Sequence, residues 1–233
     1  MPDSTLTAVK RDFESTFGYA PAGVWSAPGR VNLIGEHTDY NEGFVFPFAI
    51  NRRTYAAIGQ RTDNLIRVAS SFSPEIHEVA LTAIKRDDSN DWAAYPFGAA
   101  WAIQQTAKTK GIEINPTGFD CFIESDVPVG AGLSSSAALE CAVALALNEL
   151  WAVGLDRRDL ARELGGALGG CPHHGAGEGA GGDPGRRQLR GDLQEVVQRG
   201  HPLQVMAGAA PERPPARPPA RRLCGPAVTR PPS

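Results

Sequence analysis

A break in composition near residue 164 limits where this 233-residue chain can build a core. Every Ile, Phe, Tyr, Trp, Lys and Asn lies before it. Residues 1–164 hold 14 basic and 21 acidic side chains, net −7, whereas residues 165–233 hold 9 basic, all Arg, and 5 acidic, net +4. The second stretch contains 14 Gly and 11 Pro in 69 residues, a content that opposes a packed core. We therefore expect two regions: a folded amino-terminal domain over 1–164 and a Gly/Pro/Arg-rich, disordered tail over 165–233. Strings such as Pro214-Pro-Ala-Arg-Pro-Pro-Ala-Arg221 are what an out-of-frame reading of a GC-rich gene produces. A net charge of −3 argues against a polyanion-binding surface, so a small-molecule partner is expected and nucleic acid is not. Cys121, Cys141, Cys171 and Cys224 show no Cys-x-x-Cys spacing, which suits reduced thiols in the cytoplasm. The start lacks a basic-then-apolar leader, and the longest apolar run, Cys141 to Leu147, is far too short for a membrane span.

Within 1–164 the periodicities alternate between helical and extended. Leu6, Val9, Phe13 and Phe17 recur every three or four residues before Gly18, predicting a first helix. Phe44–Ile50, Thr54–Ile58 and Leu65–Ala69 read as strands separated by polar turns, and Arg30–Ile34 as a strand ending at Gly35. Trp92–Lys110 reads as a helix stopped by Gly111, and Phe119–Ile123 as a half-buried strand. Leu139, Ala142, Val143, Ala146, Leu147 and Leu150 then mark the apolar face of a last helix. The expected class is α/β, a two-layer α+β arrangement of a mixed sheet with packed helices.

Two segments carry chemistry. Val129-Gly-Ala-Gly-Leu-Ser-Ser-Ser-Ala137 joins a strand end to a helix start through two glycines, where backbone N–H groups and the helix dipole favour an anion. An ordinary serine cap is the competing reading. No Gly-Lys-Ser/Thr occurs in the chain, so this is not a Walker loop. A serine hydroxyl in such a loop can also ligate Mg²⁺. Earlier, Arg30, Asn32, Glu36, His37, Asp39 and Tyr40 crowd into eleven residues. Two carboxylates and an imidazole side by side suit a polyhydroxylated ligand, while a solvated loop with local hydrogen bonds is the plain alternative. Three ligand-type residues within four positions do not follow familiar zinc spacings.

Taken together, GRVNLIGEHTDYNEG and VPVGAGLSSSAALE resemble the galactokinases, a branch of the GHMP superfamily of small-molecule kinases, over about residues 10–164. The resemblance implies the N-terminal domain of the GHMP kinase fold and transfer of the ATP γ-phosphoryl group to the C1 hydroxyl of α-D-galactose. It implies that Glu36, His37 and Asp39 bind galactose hydroxyls and that Arg30 is catalytic, stabilising charge beside the reacting hydroxyl. Gly130, Gly132, Ser134, Ser135 and Ser136 would wrap the ATP phosphates, with Ser136 the Mg²⁺ ligand.

The family also carries a Glu-Asn segment with a second Mg²⁺ ligand and a Met-Asp-Gln segment with the catalytic base. Neither string occurs in this chain, so an impaired kinase is expected. A non-catalytic sugar- or ATP-binding relative and an N-acetylgalactosamine kinase are the alternatives. A monomer acting on a small molecule, without a membrane or nucleic-acid partner, is expected. In the tail, Gly177–Gly182 fits G-x-G-x-x-G without a preceding strand, and Cys171, His173 and His174 lack a scaffold for a metal. His77 lies in a strand-like stretch and is expected to be plain surface, and the last helix is expected to lack full cover for its apolar face.

Overall fold

The computed structural model describes residues 2–34, 46–85 and 91–161. Eight elements run in the order α1 (Pro2–Phe17), β1 (Gly23–Asn32), β2 (Pro47–Gln60), β3 (Leu65–Ser70), β4 (Ser73–Ala80), α2 (Ala94–Lys110), β5 (Phe119–Ser125) and α3 (Ser135–Leu150). The strands form one mixed sheet in the order β1-β2-β5-β3-β4. All neighbours are antiparallel except β3 and β5, which run parallel. The mixed α/β class expected from the periodicities is the one observed.

Strand alternation divides the core between the two faces of the sheet. Trp25, Ala27, Ala56, Ile58, Ile66, Val68, Phe119, Cys121 and Ile123 pack with α2 and α3 in the larger cluster. The intervening Val24, Ala57, Ala69 and Phe122 pack with Val9 and Phe13 of α1. The four fully apolar positions of α1 thus sit where their spacing put them. Leu139, Ala142, Val143, Ala146 and Leu147 of α3 are all buried, so the bare apolar face expected for this helix is not present. Its neighbours are α2, β1 and β2, and Trp25 Nε1 donates to Glu149 Oε2 at 3.1 Å to tie β1 to the helix.

Two expectations change. Pro47–Ile50 and Thr54–Ile58 belong to one strand, β2, while Phe44 and Val45 lie outside the described residues. The polar Asn51-Arg52-Arg53 between them is not a turn but a register shift opposite Pro28 and Arg30, with the side chains of Asn51 and Arg52 exposed. β1 begins seven residues before Arg30 and ends at Asn32, because Trp25 and Ala27 have a core to enter. The strand-like stretch around His77 has no apolar run to bound it, and it joins the sheet as an edge strand, β4.

On the α1 side a buried carboxylate organises the charges. Asp120 is fully buried and accepts from Arg61 at 3.1 Å, from Arg67 at 2.7 and 2.8 Å, and from the Tyr19 hydroxyl at 2.8 Å. The Arg67 guanidinium also lies 5.1 Å from the centroid of Phe17. Burial and the carboxylate beside it push the Tyr19 phenol well above its ordinary value. This network joins the end of α1 to β3 and β5. Removing Asp120 takes the acceptor from Arg67 and the Tyr19 hydroxyl and leaves Arg61 with Asp63 alone, a change that costs about 3–5 kcal/mol when a buried pair is broken. Asp120→Ala is expected to lower stability by about 3 kcal/mol in urea titration, with Asp120→Asn intermediate; an Asp120→Ala variant within 1 kcal/mol of the parent contradicts this role.

Candidate active site

Val127 to Ser134 connect β5 to α3 and are held at both ends. At the entry, the Arg53 N–H donates to the Asp126 carboxylate, and the Asp126 N–H returns a bond to the Arg53 carbonyl at 3.1 Å. At the exit, the Arg30 N–H donates to the Leu133 carbonyl at 3.1 Å. Between these anchors Gly130 and Gly132 have φ of +74° and +70°, and Ser134 has φ 56° and ψ 47°. Three left-handed residues at alternate positions turn successive backbone N–H groups into the kind of concavity that holds anions. Nothing lies within 4 Å of where a Cβ would stand on Gly130 or Gly132, so their conformation and not crowding calls for glycine. Ser134 makes no side-chain cap hydrogen bond, which sets aside the ordinary serine cap.

The loop borders a cavity of about 540 Å³ lined by Thr54, Phe72, Trp92, Tyr95, Ser125, Val129, Gly130, Ser135, Ser136 and Leu139. One wall is aromatic. Phe72 and Trp92 meet edge to face at 5.1 Å, and His77 stands edge to face on Trp92 at 5.3 Å with Nδ1 3.5 Å from Asp91. His77 is therefore half-buried support for that wall and not plain surface. The floor is polar: the Thr54 and Ser125 hydroxyls are 2.8 Å apart, and the Val127 N–H donates to Ser125 Oγ at 3.3 Å. An aromatic slot adjoining an anion cradle is the shape of a nucleotide site. The aromatic wall escaped the sequence reading, because Phe72, Trp92 and Tyr95 come from a turn and a helix start that no spacing rule links.

Of the residues singled out in the sequence, Gly130, Ser135 and Ser136 line this cavity, and Gly132 and Ser134 belong to the same loop. Arg30 is 2% exposed on β1 and does not line the cavity, but its backbone is bonded to the loop. Glu36, His37 and Asp39 lie outside the described residues, as does the whole of 165–233. The half-buried Ser136 hydroxyl at the start of α3 would suit a Mg²⁺ ion held mainly by phosphates and water. Among the described residues, no group of three His, Cys, Asp or Glu could hold a metal ion, and no helix is long and apolar enough to cross a membrane.

Residues 11–60 match the family model of the galactokinase galactose-binding signature, and residues 94–184 match that of the GHMP kinases N-terminal domain. This amino-terminal part belongs to the galactokinase family. It is 45% identical over 163 residues to the galactokinase of Streptomyces coelicolor, covering 70% of this chain and 41% of that one. The galactokinase of Chloroflexus aurantiacus is 44% identical over 158 residues, covering 68% and 38%. The crystal structure of Lactococcus lactis galactokinase complexed with galactose superposes with a TM-score of 0.61 at 34% identity, covering 70% of this chain and 42% of that one. A mevalonate kinase of Methanococcus jannaschii shares the fold, with a TM-score of 0.51 at 24% identity over 61% of this chain and 44% of that one. The chain thus spans about two-fifths of the length of the galactokinases it matches.

Five residues beyond the loop helix starts, α3 carries an anomaly. Glu140 is fully buried, and neither carboxylate oxygen has a hydrogen-bond partner among the described residues. Burial alone pushes its pKa up to about 8. The folded protein therefore keeps a proton on Glu140 that the unfolded chain releases in the ordinary carboxylate range. Stability contributed by the neutral form is full below that range and falls as pH rises toward 8, levelling above it. Glu140→Gln, which is neutral at every pH, is expected to exceed the parent by about 3 kcal/mol at pH 8 and by less than about 1 kcal/mol at pH 5 in urea unfolding. Equal differences at the two pH values contradict the assignment.

Proposed function

We propose that residues 1–164 are the substrate-gripping part of a galactose 1-kinase, which takes ATP and α-D-galactose and is directed to galactose 1-phosphate. The observation that carries this reading is the Arg30-to-Leu133 hydrogen bond, which sets the strand of the sugar signature directly against the anion-binding loop. Donor and acceptor sites must adjoin for phosphoryl transfer, since alignment and charge stabilisation supply most of its acceleration. In this reading the adenine enters the slot of Phe72, Trp92 and Tyr95, and the phosphates meet Gly130, Gly132, Ser134, Ser135 and Ser136. Arg30 stabilises charge at the transferring group, and Glu36, His37 and Asp39 bind the sugar hydroxyls, as the galactose complex of the Lactococcus relative encourages. Mg²⁺, when bound with ATP through Ser136, neutralises phosphate charge. We assign the protein to the cytoplasm as a monomer.

Turnover is a separate matter. The chain has no Met-Asp-Gln and no Glu-Asn string, so the base and second Mg²⁺ ligand that the family resemblance calls for have no counterpart here. We infer that 165–233 is an out-of-frame tail, into which the GHMP family model runs on as far as residue 184. Restoration of both strings in another frame of the gene supports this, and their absence from every frame overturns it.

Calorimetry on the purified 233-residue protein tests the binding reading. Saturable isotherms for both MgATP and galactose are expected, with coupled-assay turnover far below the 1–100 s⁻¹ common among kinases, on the order of a thousandth or less. Trp92→Ala is expected to weaken ATP about tenfold, the worth of one aromatic stacking partner, without changing galactose affinity. Absence of both isotherms in the folded protein overturns the reading.

A further inference from the structure

The Pro28-Gly29-Arg30 corner of β1 touches the loop through its backbone. A Cβ built on Gly29 would stand 2.8 Å from the Leu133 carbonyl oxygen, 3.0 Å from Val127 Cγ1 and 3.1 Å from Ile50 Cδ1. The closest of these is backbone, so no rotamer change relieves it. Arg30, the next residue, donates its N–H to the same oxygen at 3.1 Å. This is also the point where the β1–β2 register shifts, between Pro28 and Arg30, which lets β1 lean toward the loop.

The Leu133 oxygen is one end of a peptide plane whose other end is the Ser134 N–H. The trans geometry points the two in opposite directions, so holding the oxygen on β1 turns that N–H away from β1. Ser134 then sits at φ 56° and ψ 47°, a left-handed conformation that costs a non-glycine residue energy and persists only where its surroundings enforce it. Its carbonyl accepts the first bond of α3, from the Ala138 N–H at 3.0 Å. One anchored oxygen thus sets the direction of the amides at the helix start.

We propose that Gly29 is a positioning residue for the phosphoryl donor. Its missing side chain admits the Leu133 carbonyl to the Arg30 N–H, and that bond holds the strained Ser134 in the phosphate-binding conformation. The proposal rests on the nucleotide reading of the cavity. It deepens it by making the arginine strand and the anion loop one mechanical unit.

The test compares ADP with adenosine, which fills the aromatic slot without reaching the loop. In the 233-residue protein, Gly29→Ala is expected to weaken ADP at least tenfold and to leave adenosine within twofold, both by calorimetry. Unchanged ADP affinity, or equal losses for both ligands, overturns the proposal while the nucleotide reading stands. Failure of the unmodified protein to bind either ligand overturns both. Hydrogen exchange on the unmodified protein decides the matter if Gly29→Ala does not fold. By linkage, saturating ADP is expected to slow exchange of the Arg30 amide at least tenfold more than that of the Ile58 amide, and adenosine is not. Equal slowing of the two amides by ADP overturns the proposal.

Discussion

One backbone hydrogen bond, from the Arg30 N–H to the Leu133 carbonyl, joins segments about a hundred residues apart in the chain. The sheet order makes this contact local, because β2 lies between β1 and β5 and pairs with both. With the reciprocal bonds between Arg53 and Asp126 at the other end, the loop is sewn to the first two strands before any ligand arrives. A site whose donors are already aimed does not have to order them while binding, and electrostatic stabilisation of a charged transfer is most effective when it needs no reorganisation.

Among the described residues, the two fully buried carboxylates are handled in opposite ways. Asp120 is saturated by Arg61, Arg67 and Tyr19, all reaching it from the α1 side of the sheet, and it serves as the node that attaches the first helix. Glu140 sits on the other side of the sheet, in a helix surrounded by alanine, leucine and valine, with nothing to accept or donate. Position, not residue type, determines which of them finds donors. The saturated one stabilises a junction, whereas the unpartnered one lies in the helix whose first turn carries the loop serines.

Elements with a one-sided pattern were legible from the amino acids. α1 shows Val9 and Phe13 on a single stripe, and β5 alternates Phe119, Cys121 and Ile123 with Asp120, although that aspartate proved to be buried by its two arginines and not to face water. β1 was legible only in part because Pro28 and Gly29 read as loop, and a Pro-Gly pair can persist in a strand where the register shifts and another backbone comes close. β4 carries Pro74, Glu75 and Glu78 and has no apolar period to detect. At the site, the glycine-serine loop announced itself by composition. Its aromatic neighbours did not, since Phe72 and Trp92 become adjacent only after β4 and the residues beyond it bring the chain back.

The sheet has two outer strands, and they are not alike. β1 is buried along nearly its whole length, whereas β4 has mostly exposed or half-exposed residues, including Ile76 at 49%. A further strand added at β4 would meet Pro74, which offers no N–H, and then Glu75 and Glu78, which repel a second copy of the same edge. The chain thus carries, in a strand with little core to bury, its own guard against strand-by-strand growth into fibres.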